Sequence, residues 1–419
     1  MNMNKNLIIK NFGPIKSVDL EIFDYNIFIG PQATGKSTIA KAVYFFMSLK
    51  KDILWYVRKK RKNNNLNRSD FERILRNKFL GFWGSIKVFS SFCFTFRYTV
   101  DSTMSLVCNK GYVSVVYSPK MQEDLDGIFA MANNPDASPE QISVMIENLS
   151  YLESTAIYIP AGRSILTTLP NSLQQQILDA AISDGSNFRL LDLPLRDFFE
   201  QISQLKRIFN KSLHEIIEEK QALAPVSFQL DRNSLEIAQN FINLILKGKY
   251  YYDVTDELID IGSNISVKLA FASSGQQDSL WVLMQFFLLI LNKTKAFIII
   301  EEPEEDLFPE AQKYMTDMMS LIANINGNQI MITTHSPYML TSLNNHIFAE
   351  QMGSRHQEKV SQIINPSLWI SHQRVNAYYV DEGTIRSIMD EELHLVKAEE
   401  IDNTSKLINN EFSQLANVE

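Results

Sequence analysis

Apolar residues recur along this chain at two periods, and the changes of period mark its elements. Leu7–Lys10 and Val18–Phe23 are short strand-like runs on either side of the turn Asn11-Phe12-Gly13-Pro14. Asn26–Ile29 is a third such run, and it leads straight into Gly30. From Ser37 the spacing becomes helical, with Ile39, Ala40, Val43, Tyr44 and Met47 on one face. Lys50–Lys78 is polar and basic. Two β runs follow, Lys87–Val100 and Met104–Ser118, the second with a hairpin signal at Asn109-Lys110-Gly111. Met121–Ser150 is polar and reads as helix and loop. Thr155–Ile159 predicts a buried strand ending at Pro160.

Ser172–Ala224 is mostly helical in pattern, broken at Pro194. Val226–Leu230 and Ser234–Ile237 suggest a small hairpin, and Asn240–Leu246 is an apolar run that stops near Gly248. From Val267 onward the elements alternate. A strand is followed by a helix from Ser274, a strand Ala296–Ile300, a helix from Pro309, strands Gln329–Thr333 and Asn376–Val380, and a helical tail. Alternation of this kind predicts an α/β fold with a parallel sheet. The segments this implies are 1–55, an N-terminal part of the core; 56–150, a basic segment and an antiparallel β-subdomain; 151–170, a core strand; 171–255, a helical insertion; 256–384, the C-terminal part of the core; and 385–419, a tail.

Composition narrows the function classes. Forty Lys and Arg against 48 Asp and Glu leave a net charge of −8, which argues against a general nucleic-acid coat. Cys93 and Cys108 are too few for a disulfide framework and lie in strand-like runs, so buried thiols in a reducing cytoplasm are expected. The opening residues have no apolar leader, and the longest apolar stretch, Val282–Leu291, is too short to cross a bilayer. A cytoplasmic protein without a membrane partner is expected.

The chemistry is concentrated in four places. Gly30-Pro31-Gln32-Ala33-Thr34-Gly35-Lys36-Ser37, followed by Thr38, fits the phosphate-loop pattern G-x-x-x-x-G-K-S between a strand and a helix. Its glycines let backbone N–H groups turn inward, and the following helix offers its positive end to the same phosphates. Lys36 is then the residue for the β- and γ-phosphates, and the Ser37 hydroxyl is a ligand for Mg²⁺. The strand Phe297–Ile300 delivers Glu301 and Glu302 at its C-terminal edge, where α/β sheets place ligands. Glu301 is expected near the metal, and Glu302 is expected to act as general base on the attacking water. Ser273-Ser274-Gly275-Gln276 precedes a helix and presents free donors suited to a γ-phosphate. His335 follows the strand Gln329–Ile332 and is placed to contact the same phosphate. Each of the last three signals is weak alone. Their joint order makes the nucleotide reading specific.

These motifs resemble the ABC-type ATPases of the SMC/RecF/OLD branch. Gly30–Ser37 resembles the Walker A, Ser273–Gln277 a variant LSGGQ signature, Ile298–Glu302 the Walker B, Asp306 with Leu307 the D-loop, and His335 the switch histidine. Asn11-Phe12-Gly13-Pro14-Ile15, Tyr158-Ile159-Pro160-Ala161-Gly162-Arg163 and Glu301-Glu302-Pro303-Glu304 are further similar to stand-alone ATPases of bacterial anti-phage loci, the OLD, Septu, PARIS and abortive-infection ATPases. The resemblance implies an ABC-ATPase P-loop fold, hydrolysis of ATP with Mg²⁺, and a homodimer or higher homo-oligomer in which Ser274 and Gly275 of one copy cap the nucleotide held by Lys36 of another. It also implies a separate effector partner, a nuclease or toxin, because no Toprim domain is evident after His335. Glu301 stands where the pattern has Asp, and Gln276 where it has a second Gly. The alternative is a DNA-repair ATPase touching DNA through Arg58, Lys59, Lys60, Arg61 and Lys62, whose neighbours include Trp55, Tyr56, Phe71, Phe79, Phe82 and Trp83.

Overall fold

The computed structural model describes residues 5–61, 65–84, 91–164, 192–225, 228–253, 256–263, 265–397 and 399–416, without the side chains of 399–407. Lys62 and the start of the expected helical insertion, 171–191, lie outside the described residues, as do 226 and 227.

Two sheets share the chain's N-terminal strands. β1 (Lys5–Phe12) and β2 (Ile15–Ile22) form a hairpin that continues into β4 (Ser91–Arg97), β5 (Thr103–Asn109) and β6 (Tyr112–Tyr117), all antiparallel, in the order β2-β1-β4-β5-β6. The turn at Lys110-Gly111, both at positive φ, closes β5 onto β6 with Asn109 opposite Tyr112. β3 (Tyr25–Ile29) instead enters a second sheet, with β7 (Thr155–Ile159), β11 (Ala296–Glu301), β12 (Gln329–Thr333), β13 (Val375–Asp381) and β14 (Thr384–Ser387). Its order is β14-β13-β3-β12-β11-β7, parallel except for the β14 edge. A small antiparallel sheet joins β8 (Lys249–Asp253), β9 (Asp256–Asp260) and β10 (Ser266–Lys268).

The parallel strands are buried on both faces, as their continuous apolar runs require. Ile27, Ile29, Ile298, Ile300, Ile330 and Ile332 point into one core. Phe28, Phe297, Ile299 and Met331 point into the other. Helix α1 (Lys36–Met47) packs on the second face. The same core takes α2 (Leu49–Lys60), α3 (Arg68–Trp83), α4 (Pro119–Asn133) and α5 (Pro139–Glu147). The first core takes α6 (Leu193–Ile208), α7 (Leu213–Leu223), α8 (Arg232–Leu246), α9 (Ser274–Asn292), α10 (Pro309–Ala323) and α11 (Pro337–Ser361). The chain ends in α12 (Glu399–Ala416).

One local expectation fails. Ser234–Ile237 is not a strand but the first turn of α8, which Asp231 caps by accepting from Ser234 N (3.1 Å). The Asp cap and the spacing of Leu235, Ala238, Ile242 and Ile245 outweigh the short β-like stretch. Among the described residues, no helix is long and apolar enough to cross a membrane. Cys108 is buried and Cys93 half-buried, and both are free.

Candidate functional site

The site lies at the C-terminal ends of β3, β11 and β12, three adjacent parallel strands. β3 ends at Ile29 and the chain turns through Gly30 at φ 143. A Cβ there would sit 2.2 Å from the Val380 carbonyl oxygen of the neighbouring β13, so the loop leaves the sheet at that point only with glycine. Pro31, Gln32 and Ala33 are exposed, Ala33 in the left-handed region at φ 62. Thr34 closes the turn, its hydroxyl donating to the Pro31 carbonyl (2.9 Å). Gly35 at φ 111 then starts α1.

No side chain caps α1, and its first turn has no acidic residue. Its leading N–H groups, beginning at Lys36, Ser37 and Thr38, are therefore open to an anion at the positive end of the helix. The Lys36 ammonium reaches back over this opening and donates to the carbonyls of Gly30 (2.8 Å) and Pro31 (2.7 Å). It is 7% exposed, and burial lowers its pKa against a weaker opposing pull from Glu302. The Ser37 side chain is exposed at the mouth.

Glu301 is the last residue of β11, opposite Thr333 of β12. It is 5% exposed. The Tyr158 hydroxyl is buried beside it, and burial together with the Glu301 carboxylate holds its pKa well above the usual tyrosine value. A buried carboxylate at a strand end suits a hard cation. Among the described residues, no group of three or more His, Cys, Asp or Glu side chains is placed to hold a metal ion.

Glu302 turns out of the strand at φ 45, with its N–H donating to the Thr333 carbonyl (2.9 Å). That left-handed conformation aims its half-exposed carboxylate toward His335, whose Nε2 lies 3.8 Å from Oε1. Burial lowers the His335 pKa, Lys36 adds to the effect, and Glu302 opposes it. Lys36, Glu302 and His335 are thus within electrostatic reach of one another although they come from three strand ends.

The signature segment stands apart. Ser273 caps α9 in a reciprocal box with Gln276, whose Nε2 also donates to the Leu246 carbonyl (2.7 Å). Ser273 and Ser274 are exposed and Gly275 is buried. A Cβ on Gly275 would lie 2.5 Å from the carbonyl oxygen of Asp306, so α9 begins against the Asp306-Leu307 turn of its own chain. Among the described residues, no hydrogen bond or ion pair joins Ser273–Gln276 to residues 30–38.

One residue to which no role was assigned from sequence ties these parts together. Arg163 is 1% exposed. Its guanidinium donates to the carbonyls of Asp278 (3.2 Å) on α9, Pro160 (3.2 Å), Glu301 (3.0 Å) and Glu302 (3.2 Å), and reaches Glu305 Oε2 (3.5 Å). Glu305 also accepts from Gly162 N (2.8 Å). Arg163 therefore clamps the acidic turn to the signature helix. Its only signal in the sequence was its place in Tyr158–Arg163. Glu304 also matters: its Oε1 accepts from Thr334 Oγ1 and from His335 N, both at 2.7 Å.

The basic segment is otherwise disposed. Tyr56, Phe71, Phe79 and Phe82 are core residues, Trp83 packs against that core, and Trp55 is exposed beneath Lys59. Lys60 lies 3.9 Å from Asp70, Arg68 pairs with Asp126 (3.1 Å), and Lys78 with Asp52 (2.5 Å). Arg61 donates to the Ala137 carbonyl. Much of the positive charge is matched locally, and most of the aromatics are unavailable for stacking on bases.

The AAA ATPase domain family matches residues 3–101 and 109–340 of this chain. No curated protein sequence matches it. Similar solved structures include the SMC head domain from Thermotoga maritima, with 11% identity, TM-score 0.40, and coverage of 93% of this chain and 98% of that one. Another is the SmcHead bound to the C-winged helix domain of ScpA, with 10% identity, TM-score 0.44 and coverage of 91% and 96%. A third is the Smc head domain with an extended coiled coil bound to the C-terminal domain of ScpA derived from Pyrococcus furiosus, with 11% identity, TM-score 0.41 and coverage of 98% and 100%.

Proposed function

Because the chain belongs to the AAA ATPase domain family, we propose that it binds ATP with Mg²⁺, hydrolyses it to ADP and phosphate, and does so as a nucleotide-bridged dimer. The observation that carries this reading is the convergence of Lys36, Glu302 and His335 beside the uncapped start of α1. The α1 N–H groups and the loop amides of 30–35 bind the phosphate chain. Lys36 exchanges its two carbonyl acceptors for β- and γ-oxygens. Ser37 and the buried Glu301 carboxylate are the side-chain groups that hold Mg²⁺. Bound Mg²⁺ supplies charge neutralisation at the β- and γ-phosphates. Glu302 orients the attacking water and takes its proton, and a neutral His335 steers the carboxylate and meets the γ-phosphate.

Ser274 and Gly275 complete the site from a second copy. Support for this comes from their separation from the phosphate loop of their own chain and from the exposure of Ser273 and Ser274 at a helix start. Mixing decides it. Lys36→Ala and Ser274→Arg are each inactive alone. Together they form one intact composite site and recover phosphate release. Absence of recovery in a mixed dimer would contradict the shared site.

The wider reading is an ATP-driven sensor or scaffold that governs a separate nuclease or toxin in anti-phage defence. It is supported by the resemblance of Glu301–Glu304 and Tyr158–Arg163 to stand-alone defence ATPases. Direct action on DNA rests on the basic segment, whose local ion pairs and core aromatics weigh against it. Phage plating on a host carrying the complete locus tests the role: protection is lost with Lys36→Ala, and no protection from the intact locus against a broad panel refutes it.

A further inference from the structure

Two helices leave the nucleotide end of the sheet. α10 starts directly after the exposed Asp306 and Phe308, and α11 starts directly after His335 and Ser336. One side chain joins their first turns. Gln312 Nε2 donates to the Leu307 carbonyl (2.8 Å), and Gln312 Oε1 accepts from the Ser336 hydroxyl (2.6 Å). The same Ser336 oxygen caps α11 by accepting from Met339 N (3.2 Å). Ser336 N donates to Thr334 Oγ1 (3.0 Å). Thr334 Oγ1 and His335 N both donate to Glu304 Oε1. A continuous path of hydrogen bonds thus runs from the 306–308 turn to the backbone of His335.

A helix cap needs only the serine. The extra acceptor, reaching across from another helix, fixes the cap in space. Deeper in the core, Ser320 Oγ lies 2.8 Å from His346 Nδ1, and His346 Nε2 lies 2.9 Å from Asp317 Oδ1. All three side chains are buried, so α10 and α11 are joined again about two turns further along. Gln312 sets the register of the ends that face the nucleotide.

We propose that Gln312 is a positioning residue for His335, coupling the exposed 306–308 turn to the nucleotide site so that contact by a second copy at Asp306 or Phe308 is felt at the histidine. Its catalytic consequence rests on the ATPase reading above, whereas the coupling itself does not. A Gln312→Ala chain keeps both helices and opens the link. A Gln312→Glu chain keeps the acceptor for Ser336 and loses the donor to Leu307.

The test uses the full chain in two readouts. In turnover, Gln312→Ala binds a fluorescent ATP analogue as the parent does but hydrolyses ATP roughly tenfold to a hundredfold more slowly, the usual cost of slightly misplaced groups. In a His335→Ala background it causes no further loss, because both changes act through one residue. Equal losses in both backgrounds overturn the proposal. In NMR titration, with Lys36 and Glu302 facing the ring in both chains, the His335 pKa of Gln312→Ala moves up toward the ordinary histidine value as the segment loosens. In Gln312→Glu turnover falls as well, because the donor to Leu307 is lost. An unchanged His335 titration in Gln312→Ala also overturns the proposal. If the parent chain hydrolyses no ATP, the ATPase reading fails and the titration still decides the coupling.

Discussion

The two cores of this protein are built from different materials and carry different burdens. The core around the antiparallel sheet is aromatic. Phe12 alone packs edge-on to Phe79, Trp83, Phe92 and Phe94, with ring centroids 4.8–5.9 Å apart. Its deeply placed charges are matched, as in Lys78 with Asp52. The core beneath the nucleotide end is mostly aliphatic, lined by isoleucines from four parallel strands. Three carboxylates with buried oxygens, Asp278, Glu301 and Glu304, lie at that end. Glu302 and Asp306 there adopt left-handed φ values of 45 and 57. Burial raises the Asp278 pKa to about 6 even though Arg163 opposes it. Buried carboxylates and two left-handed residues thus sit together where a ligand can meet them.

Substitutions can pull these burdens apart. The largest expected effect is on activity. Lys36→Ala loses on the order of a thousandfold in ATP turnover with a melting temperature close to the parent's, measured by phosphate release and calorimetry. Arg163→Ala is next and damages both properties, because it frees five acceptors around a buried cation. It costs roughly 3–5 kcal/mol in denaturant unfolding, together with most of the turnover. Phe79→Ala costs a similar ~3–5 kcal/mol but leaves turnover per folded molecule intact, which separates the two cores most cleanly. Glu302→Gly reverses the pattern: relief of the left-handed residue stabilises by up to about 1 kcal/mol while hydrolysis is lost.

The smallest effect is on pH dependence. Burial and Lys36 hold His335 below its ordinary pKa, so the neutral form prevails at neutral pH and is lost only as pH falls through that lowered value. Turnover is therefore flat through neutrality and declines only in acid. His335→Ala moves that acid limb to lower pH, where protonation of the Glu302 base takes over.

Much of this was legible in the residues. The three strands feeding the site announced themselves as short apolar runs ending in glycine, acids or histidine, because strands buried on both faces cannot alternate. The Gly30–Ser37 loop and the Glu301-Glu302 pair were readable because each needs fixed residue types at fixed spacing. Arg163 was not, because its partners are mostly backbone carbonyls of Asp278, Glu301 and Glu302, and carbonyls leave no mark on sequence. Gln312 was hidden for the same reason at Leu307, and its other partner is a serine that reads as an ordinary cap. The start of α8 was misread because Ser234–Ile237 is too short to reveal its period without the Asp231 cap.

The central claim is that Glu302 performs hydrolysis at a site built to hold ATP. Phosphate release and ATP binding measured side by side on the parent chain and on Glu302→Gln test it most directly. The account predicts steady turnover by the parent, and a variant that binds ATP at least as tightly yet turns over 10²–10⁴-fold more slowly, the range expected for loss of a general base. A Glu302→Gln chain that releases phosphate at the parent's rate would contradict it.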